Sequence, residues 1–383
     1  MRKGTTRLDP TPYRPLFPIT QRYAYFNHAG VSPVNTHAIA AMQAFNERTA
    51  RESFGDFRGE IEEQLRDLRR RFATLINARS VDEIVLMPNT ATGINIAALS
   101  LPLRPGDNVL VLDGDYPANI YPWMNLAHRG VLTKIVPAHN GGLDLDLLQS
   151  RIDSHTRVIA MSTVVFATGF RNDIDGVGRI CKERGIFLVV DGIQSLGALP
   201  FDVQAANVDF LAAGSQKWLI GPIGGGFLYV RRELLNELVA GPYVGAASVV
   251  DAQNFLDYNF TLQPTAERFS LGSSGIMNQL GLRASVELIQ EIGIERIAER
   301  VLMLAGVAIG DMQERGYRLS ADSAPEHRSG IVIVEVDDPV ATCARLHDAG
   351  IICIPRGKGF RIAPHFYNTE EEILLVGETL AKM

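Results

Sequence analysis

Between Asp82 and Arg231 short apolar runs alternate with helix-like stretches, and this alternation constrains the fold more than any other feature of the chain. The runs are Glu83-Ile84-Val85-Leu86-Met87, Asn108-Val109-Leu110-Val111-Leu112, Arg157-Val158-Ile159-Ala160-Met161, Ile186-Phe187-Leu188-Val189-Val190, Phe210 to Ala213, and Phe227-Leu228-Tyr229-Val230. Their apolar residues are consecutive rather than alternate. A strand that is apolar at every position has both faces buried, so such runs separated by helices predict a mainly parallel sheet covered on both sides. The covering helices are expected at Gly93 to Leu99, around Trp123 to His128, and at Gly176 to Arg184.

At 383 residues the chain is too long for one ordinary core. Ala38 to Ile76 reads as helical, as does the stretch from Gly272 to about Arg315. Ser329 to Val336, a helix near Val340 to Ala349, Ile351 to Ile354 and a last helix from Thr369 then suggest an α+β unit. The expected division is an N-terminal arm over 1–20, a large α/β domain over 21–265 and a smaller C-terminal domain over 266–383. The net charge of -6 argues against nucleic-acid or anionic-membrane partners, and no apolar stretch approaches the length of a membrane span. Pro10, Pro12, Pro15 and Pro18 punctuate an N-terminus without an apolar h-region, which predicts an extended arm lying on a partner. Cys181, Cys343 and Cys353 show no CxxC spacing and the eight histidines no HExxH pattern. A reducing, cytoplasmic compartment and no metal are therefore expected.

The chemistry-bearing residues follow strand ends, where an open α/β sheet binds its ligands. Lys217 stands just past the run Phe210 to Ala213, after a Gly214-Ser215 turn and before the glycine-rich Gly221-Pro222-Ile223-Gly224-Gly225-Gly226. Asp191 ends the run Ile186 to Val190, and Gln194 follows one turn on. An amine, a carboxylate, an amide and a hydroxyl brought to one crevice match what pyridoxal 5'-phosphate (PLP) requires: an amine for its aldehyde, an anion for its ring nitrogen, and polar groups for its phenol and phosphate. Asn89-Thr90-Ala91-Thr92-Gly93 joins a strand to a helix, where hydroxyls and free N–H groups suit a phosphate. Ser215 offers another hydroxyl to that phosphate. Tyr116 is placed to cover a ring face, and Arg361 is a candidate bidentate clamp for a carboxylate.

These segments resemble the class V aminotransferase family of fold-type-I PLP enzymes, which includes cysteine desulfurases, kynureninases and isopenicillin N epimerase. The resemblance runs from Tyr25-Phe26-Asn27-His28-Ala29-Gly30 through Thr90-Ala91-Thr92, Asp191-Gly192-Ile193-Gln194 and Ser215-Gln216-Lys217 to Arg361-Ile362-Ala363-Pro364-His365. It implies that Lys217 carries the cofactor covalently and moves the Cα proton. Asp191 would pair with the ring nitrogen, Gln194 would hydrogen-bond the phenolic oxygen, and Tyr116 would stack on the ring. Thr90, Ala91, Thr92, Ser215 and Gln216 would bind phosphate, joined by Gly272 and Ser273 from the other subunit of a homodimer with shared sites. Asn27 and His28 would lie beside the substrate with Arg361.

Three departures bear on the reaction. Cysteine desulfurases carry a nucleophilic cysteine on a loop shortly before the Arg361-type arginine; here that interval, Pro355 to Phe360, contains none. Cys353 lies within an apolar run, where a thiol is unreactive. The His that precedes the lysine in desulfurases is Gln216, and Phe166 stands where many members have Asn. Transamination of an α-amino acid is the first expectation, followed by β-eliminating C–S cleavage, then epimerisation or desulfuration. A PLP-binding protein without catalysis is the alternative of a different class.

Overall fold

The computed structural model describes residues 7–383 except 239, 240, 242, 255, 273, 274, 322 and 323. After β1 (Ala24–Tyr25) come two helices, α1 (Thr36–Arg51) and α2 (Phe54–Leu75), where the sequence suggested one continuous stretch. Asn35 caps α1 by accepting from the Ala38 N–H at 3.0 Å, which fixes where that helix starts. Along α2, Phe57, Ile61, Leu68, Phe72 and Leu75 recur at helical spacing and form its buried stripe.

The elements β2 (Ile84–Leu86), α3 (Thr90–Ser100), β3 (Asn108–Leu112), α4 (Tyr121–Met124), β4 (Leu132–Val136), α5 (Leu145–Arg151), β5 (Thr156–Ser162), α6 (Ile174–Arg184), β6 (Phe187–Asp191), β7 (Phe210–Gly214) and β8 (Gly226–Val230) follow. Seven of the strands make one sheet in the order β2-β8-β7-β6-β5-β3-β4. Every neighbouring pair is parallel except those of β8, which runs antiparallel to β2 and β7. Every residue of β3, β7 and β8 is buried, as their unbroken apolar runs require. β4 and α5 escaped the sequence reading: β4 is an edge strand with exposed Leu132 and Ile135, and its Leu-Thr-Lys-Ile-Val sequence lacks a continuous apolar run. The expected helix at Trp123 to His128 is only the one-turn α4 followed by a 3-10 turn.

The chain steps outward from β3 to β4 and then places β5 on the other side of β3, so strand order reverses there. Such a reversal splays the following loops apart and opens a crevice at the carboxyl ends of the strands.

Beyond the sheet lie α7 (Ile276–Ile292) and α8 (Ile294–Glu314), divided at Gly293 with φ +92°. Although α7 lies C-terminal to residue 265, it packs on α1 and α2. The remaining elements are β9 (Val332–Glu335), α9 (Pro339–Asp348), β10 (Ile351–Ile352), β11 (Ile354–Arg356), β12 (Gly359–Ile362) and α10 (Glu370–Leu380). β11, β12 and β9 form an antiparallel sheet, while β1 pairs in parallel with β10. Ala24 and Phe26 thus enter the core formed by α8, β9, β12 and α10, separate from the core of the large sheet. The entry segment and the C-terminal unit pack as one body. No helix among the described residues is long and apolar enough to cross a membrane.

Candidate active site

Five strand ends converge on the crevice. Asp191 closes β6 and is 1% exposed; its Oδ1 accepts from the Ile193 N–H at 2.9 Å, and its Oδ2 is buried with no hydrogen-bond partner. Burial raises the Asp191 pKa to about 7, the nearby Asp115 carboxylate adds to the rise, and Lys217 opposes it. Lys217, past the end of β7, is 9% exposed. Burial lowers its pKa to about 8 against the pull of Asp191, with Arg361 and Arg356 adding to the fall. The result is a buried amine of lowered pKa that interacts electrostatically with a buried carboxylate of raised pKa, one of whose oxygens lacks a donor.

Asp115 is a site residue that the sequence reading missed. Its carboxylate accepts from the N–H of Tyr116 (2.7 Å), the Asn119 side chain (3.0 Å), and both the N–H and hydroxyl of Ser162 (2.9 and 2.5 Å). It ties the loop after β3 to the end of β5 across the reversal of strand order and sets where Tyr116 stands. An Asp two residues before Pro117 and three after an apolar run was the available signal. Tyr116 is 43% exposed, with Lys217 Nζ 5.3 Å from its ring centroid and the Phe166 ring edge-on at 5.1 Å.

The N-terminus of α3 supplies an anion cradle, but with fewer donors than the sequence suggested. Asn89 Oδ1 accepts from both the N–H and the hydroxyl of Thr92, which occupies that residue as a helix cap. The N–H groups of Thr90 and Ala91 have no intrahelical acceptor. Thr90 Oγ1 accepts from the Gly214 N–H at 2.9 Å, leaving its own proton to donate, and this links the helix end to β7. A Cβ at Gly214 would lie 2.6 Å from Gln216 Oε1, so the half-buried Gln216 carboxamide folds back against Gly214.

Two expectations are corrected here. Ser215 is fully buried, and its hydroxyl donates to the Pro222 carbonyl, pinning the glycine-rich loop instead of facing an anion. His28 is also fully buried: Nδ1 lies 2.6 Å from the Ala363 carbonyl and Nε2 2.6 Å from the Tyr367 hydroxyl. Burial and then His365 hold His28 well below the usual imidazole pKa. It fastens the entry segment to the C-terminal unit and offers nothing to a substrate. Gln194 is partly occupied within the protein. Its amide donates to the Ala29 carbonyl and accepts from the Trp218 indole, both at 3.1 Å, which leaves one N–H of its two. Gly272 is exposed, and Ser273 lies outside the described residues.

Arg361, from β12, is 1% exposed. One of its terminal nitrogens donates to Asn27 Oδ1 at 3.0 Å, and its Nε has no partner. Burial and then Arg356 bring its pKa down to about 9, so it remains a cation at neutral pH. No carboxylate pairs with it among the described residues. A buried cation without a counter-ion is costly to hold, and that cost is recovered when an anion binds.

These groups fit PLP on the structure's own terms. There is an orphaned carboxylate oxygen for a protonated ring nitrogen, an amine of lowered pKa for an aldehyde, and helix N–H groups beside a free hydroxyl for a phosphate. Cys353 does not join them: it is 8% exposed, and burial raises its thiol well above the usual range.

The chain is similar to known proteins over nearly its whole length. A sequence profile described as aminotransferase class-V matches residues 24–373. A probable cysteine desulfurase from Methanothermobacter thermautotrophicus is 30% identical, over 96% of each chain. The uncharacterized aminotransferase YcbU of Bacillus subtilis is also 30% identical, over 95% of each. The solved structure of the cystine C–S lyase C-DES, in complex with its reaction product cysteine persulfide, superposes with a TM-score of 0.87 at 25% identity, covering 96% of this chain and 99% of that one.

Proposed function

Since this chain belongs to the class-V aminotransferase family, we propose that it catalyses C–S β-elimination on a sulfur-containing α-amino acid. It is a PLP-dependent enzyme. When bound, the cofactor supplies an electron sink for the carbanion formed at Cα. Asp191 Oδ2 would hold the ring nitrogen protonated, and the remaining Gln194 N–H would meet the phenolic oxygen. The Thr90 and Ala91 N–H groups, the Thr90 hydroxyl and Gln216 would hold the phosphate, with Tyr116 over the ring. Arg361 and Asn27 would fix the substrate carboxylate and so set which Cα bond stands perpendicular to the ring.

Lys217, neutral in a useful fraction near pH 8, takes the Cα proton. The C–S bond then breaks with its electrons leaving on sulfur. A thiol has an ordinary pKa near about 8.5 and departs at neutral pH without a strong protein acid. The released enamine takes up water to give pyruvate and ammonium.

The observation that carries a lyase over a desulfurase is the enclosure of Cys353, together with the hairpin after it. β11 and β12 pair Arg356 with Gly359, so only Gly357 and Lys358 form the loop, with φ +58° at Gly357 as a two-residue turn demands. That loop carries no thiol. Transamination is the second reading, favoured by the YcbU relative and by Gln216 in place of the desulfurase His.

The test is a panel of amino acids, cystine and cysteine included, incubated with the purified holoenzyme. Pyruvate and ammonium in equal amounts without a keto-acid acceptor support the lyase. Turnover only when a keto acid is present rejects it in favour of transamination. The working unit of this reading is a homodimer, supported by Leu256 and Tyr258, which stand 90% and 92% exposed alongside Phe260. Sedimentation showing a monomer at micromolar concentration would count against it.

A further inference from the structure

β11 and β12 present two arginines on one face of their hairpin. Ile354 lies directly opposite Arg361 and Arg356 opposite Gly359. Directly opposed residues share a face, and so do residues two apart on one strand. Arg356 and Arg361 therefore face the same way, as diagonal neighbours roughly 7–8 Å apart along the backbone. The side-chain contacts then lead back to the crevice. The Arg356 guanidinium carbon lies 5.3 Å from the centroid of Phe166, Phe166 meets Tyr116 edge-on at 5.1 Å, and Tyr116 has Lys217 Nζ at 5.3 Å. Arg356 Nε is buried without a partner, and no carboxylate among the described residues answers either arginine. One carboxylate on a substrate satisfies one guanidinium. The second remains.

We propose that Arg356, stacked on Phe166, forms a second anion subsite, so that the preferred substrate is an α-amino acid whose side chain ends in a carboxylate. The inference rests on the PLP reading with Arg361 at the α-carboxylate. It narrows the class of sulfur amino acid to those carrying a second carboxylate beyond the sulfur. Phe166 holds the guanidinium plane by cation–π contact and leaves its edge donors for the ligand. The two-residue loop sets the reach of Arg356, because a longer loop would not hold it in register with Arg361.

The test uses inert ligands, so that it does not depend on turnover. Holoenzyme whose Lys217 has first been shown to trap PLP on borohydride reduction is titrated by calorimetry with succinate, glutarate and adipate, and with monocarboxylates of the same chain length. The best dicarboxylate is expected to bind at least about tenfold more tightly than its monocarboxylate counterpart, as a second charge-assisted contact provides. In Arg356→Gln that ratio should fall to near one, while Arg356→Lys should retain part of it. Equal affinities for the two ligand series in the wild type overturn the subsite, whether or not the variants fold, and leave the PLP reading standing. Failure to trap PLP at Lys217 overturns the underlying reading instead.

Discussion

Among the described residues no carboxylate pairs with the cation of Arg361, and exchanging it for methionine tests both what that arrangement costs and what it supplies. Its pKa lies at about 9, lowered by burial and by Arg356. From a guanidinium's usual value of about 12.5, at about 1.4 kcal/mol per pH unit, the penalty on the charged form is bounded at roughly 5 kcal/mol. The sign follows from the folded pKa lying below the unfolded one. The penalty is present in full below about pH 9 and fades as pH rises from there toward the unfolded value. Arg361→Met keeps the aliphatic stem and removes the charge; exchanging even paired buried ions for apolar groups is often neutral or gains about 1–4 kcal/mol, and an unpaired one is expected to gain within that range. For a chain of 383 residues, that gain raises the melting temperature by about 1–5 °C. Activity should move the opposite way: losing a buried partner of the substrate carboxylate costs about 2–5 kcal/mol, or roughly 30- to 5000-fold in kcat/KM. Calorimetric melting of substrate-free holoenzyme at pH 7 and steady-state kinetics on the best amino-acid substrate read the two effects. A variant that melts lower than wild type refutes the unpaired-cation reasoning; one that keeps wild-type kcat/KM places the carboxylate elsewhere.

Arg361→Lys preserves the charge but loses the fork, so kcat/KM should fall by about 10- to 150-fold, the equivalent of one charge-assisted hydrogen bond. An undiminished value would mean that a point charge suffices. Lys217→Ala should abolish turnover and the borohydride-trapped peptide while still binding PLP weakly through the α3 cradle; a covalent adduct in that variant would identify another lysine. Because burial lowers Lys217 to about 8, the rate at which apoenzyme captures PLP should climb about tenfold per pH unit up to about pH 8 and then level off. A flat profile between pH 6 and 9 in stopped-flow absorbance would contradict it. Cys353→Ala should leave kcat within about twofold, since the thiol is enclosed and its pKa raised; a loss of orders of magnitude in the folded variant would restore the desulfurase reading.

The frame of the site was legible because it is local. A run of consecutive apolar residues ending in Asp191, and another ending before Lys217, declare buried strands and place their next polar residues at the carboxyl edge. The strand that runs against the others was not legible, because β8 carries the same unbroken apolar pattern as its parallel neighbours. The allocation of donors was hidden for a different reason. Ser215, Thr92 and His28 all bear groups suited to a ligand, but Pro222, Asn89 and Tyr367 take those groups up. Only the folded chain decides whether a hydroxyl or imidazole is free. Arg356 was similarly opaque as a separate subsite, since its value depends on the strand register that turns it to the same face as Arg361.

The residues divide by the core that holds them, and this division has a functional consequence. Thr90, Asp115, Asp191 and Lys217 are set by the ends of the seven-stranded sheet, whose burial on both faces leaves little freedom to move them. Arg356 and Arg361 are set by a small antiparallel sheet with its own core, and Asn27 by the entry segment that joins that core. The two bodies meet through His365 with the Trp218 carbonyl at 2.9 Å and through Gln194 with the Ala29 carbonyl at 3.1 Å. On the proposed reading, the residues for proton transfer and cofactor binding belong to one body and those for substrate carboxylates to the other. The hairpin of β11 and β12 is not part of the sheet ends that hold Asp191 and Lys217, although the charges of Arg356 and Arg361 help lower the Lys217 pKa. On that same reading, such a division lets one reaction centre be kept while the acids it accepts vary.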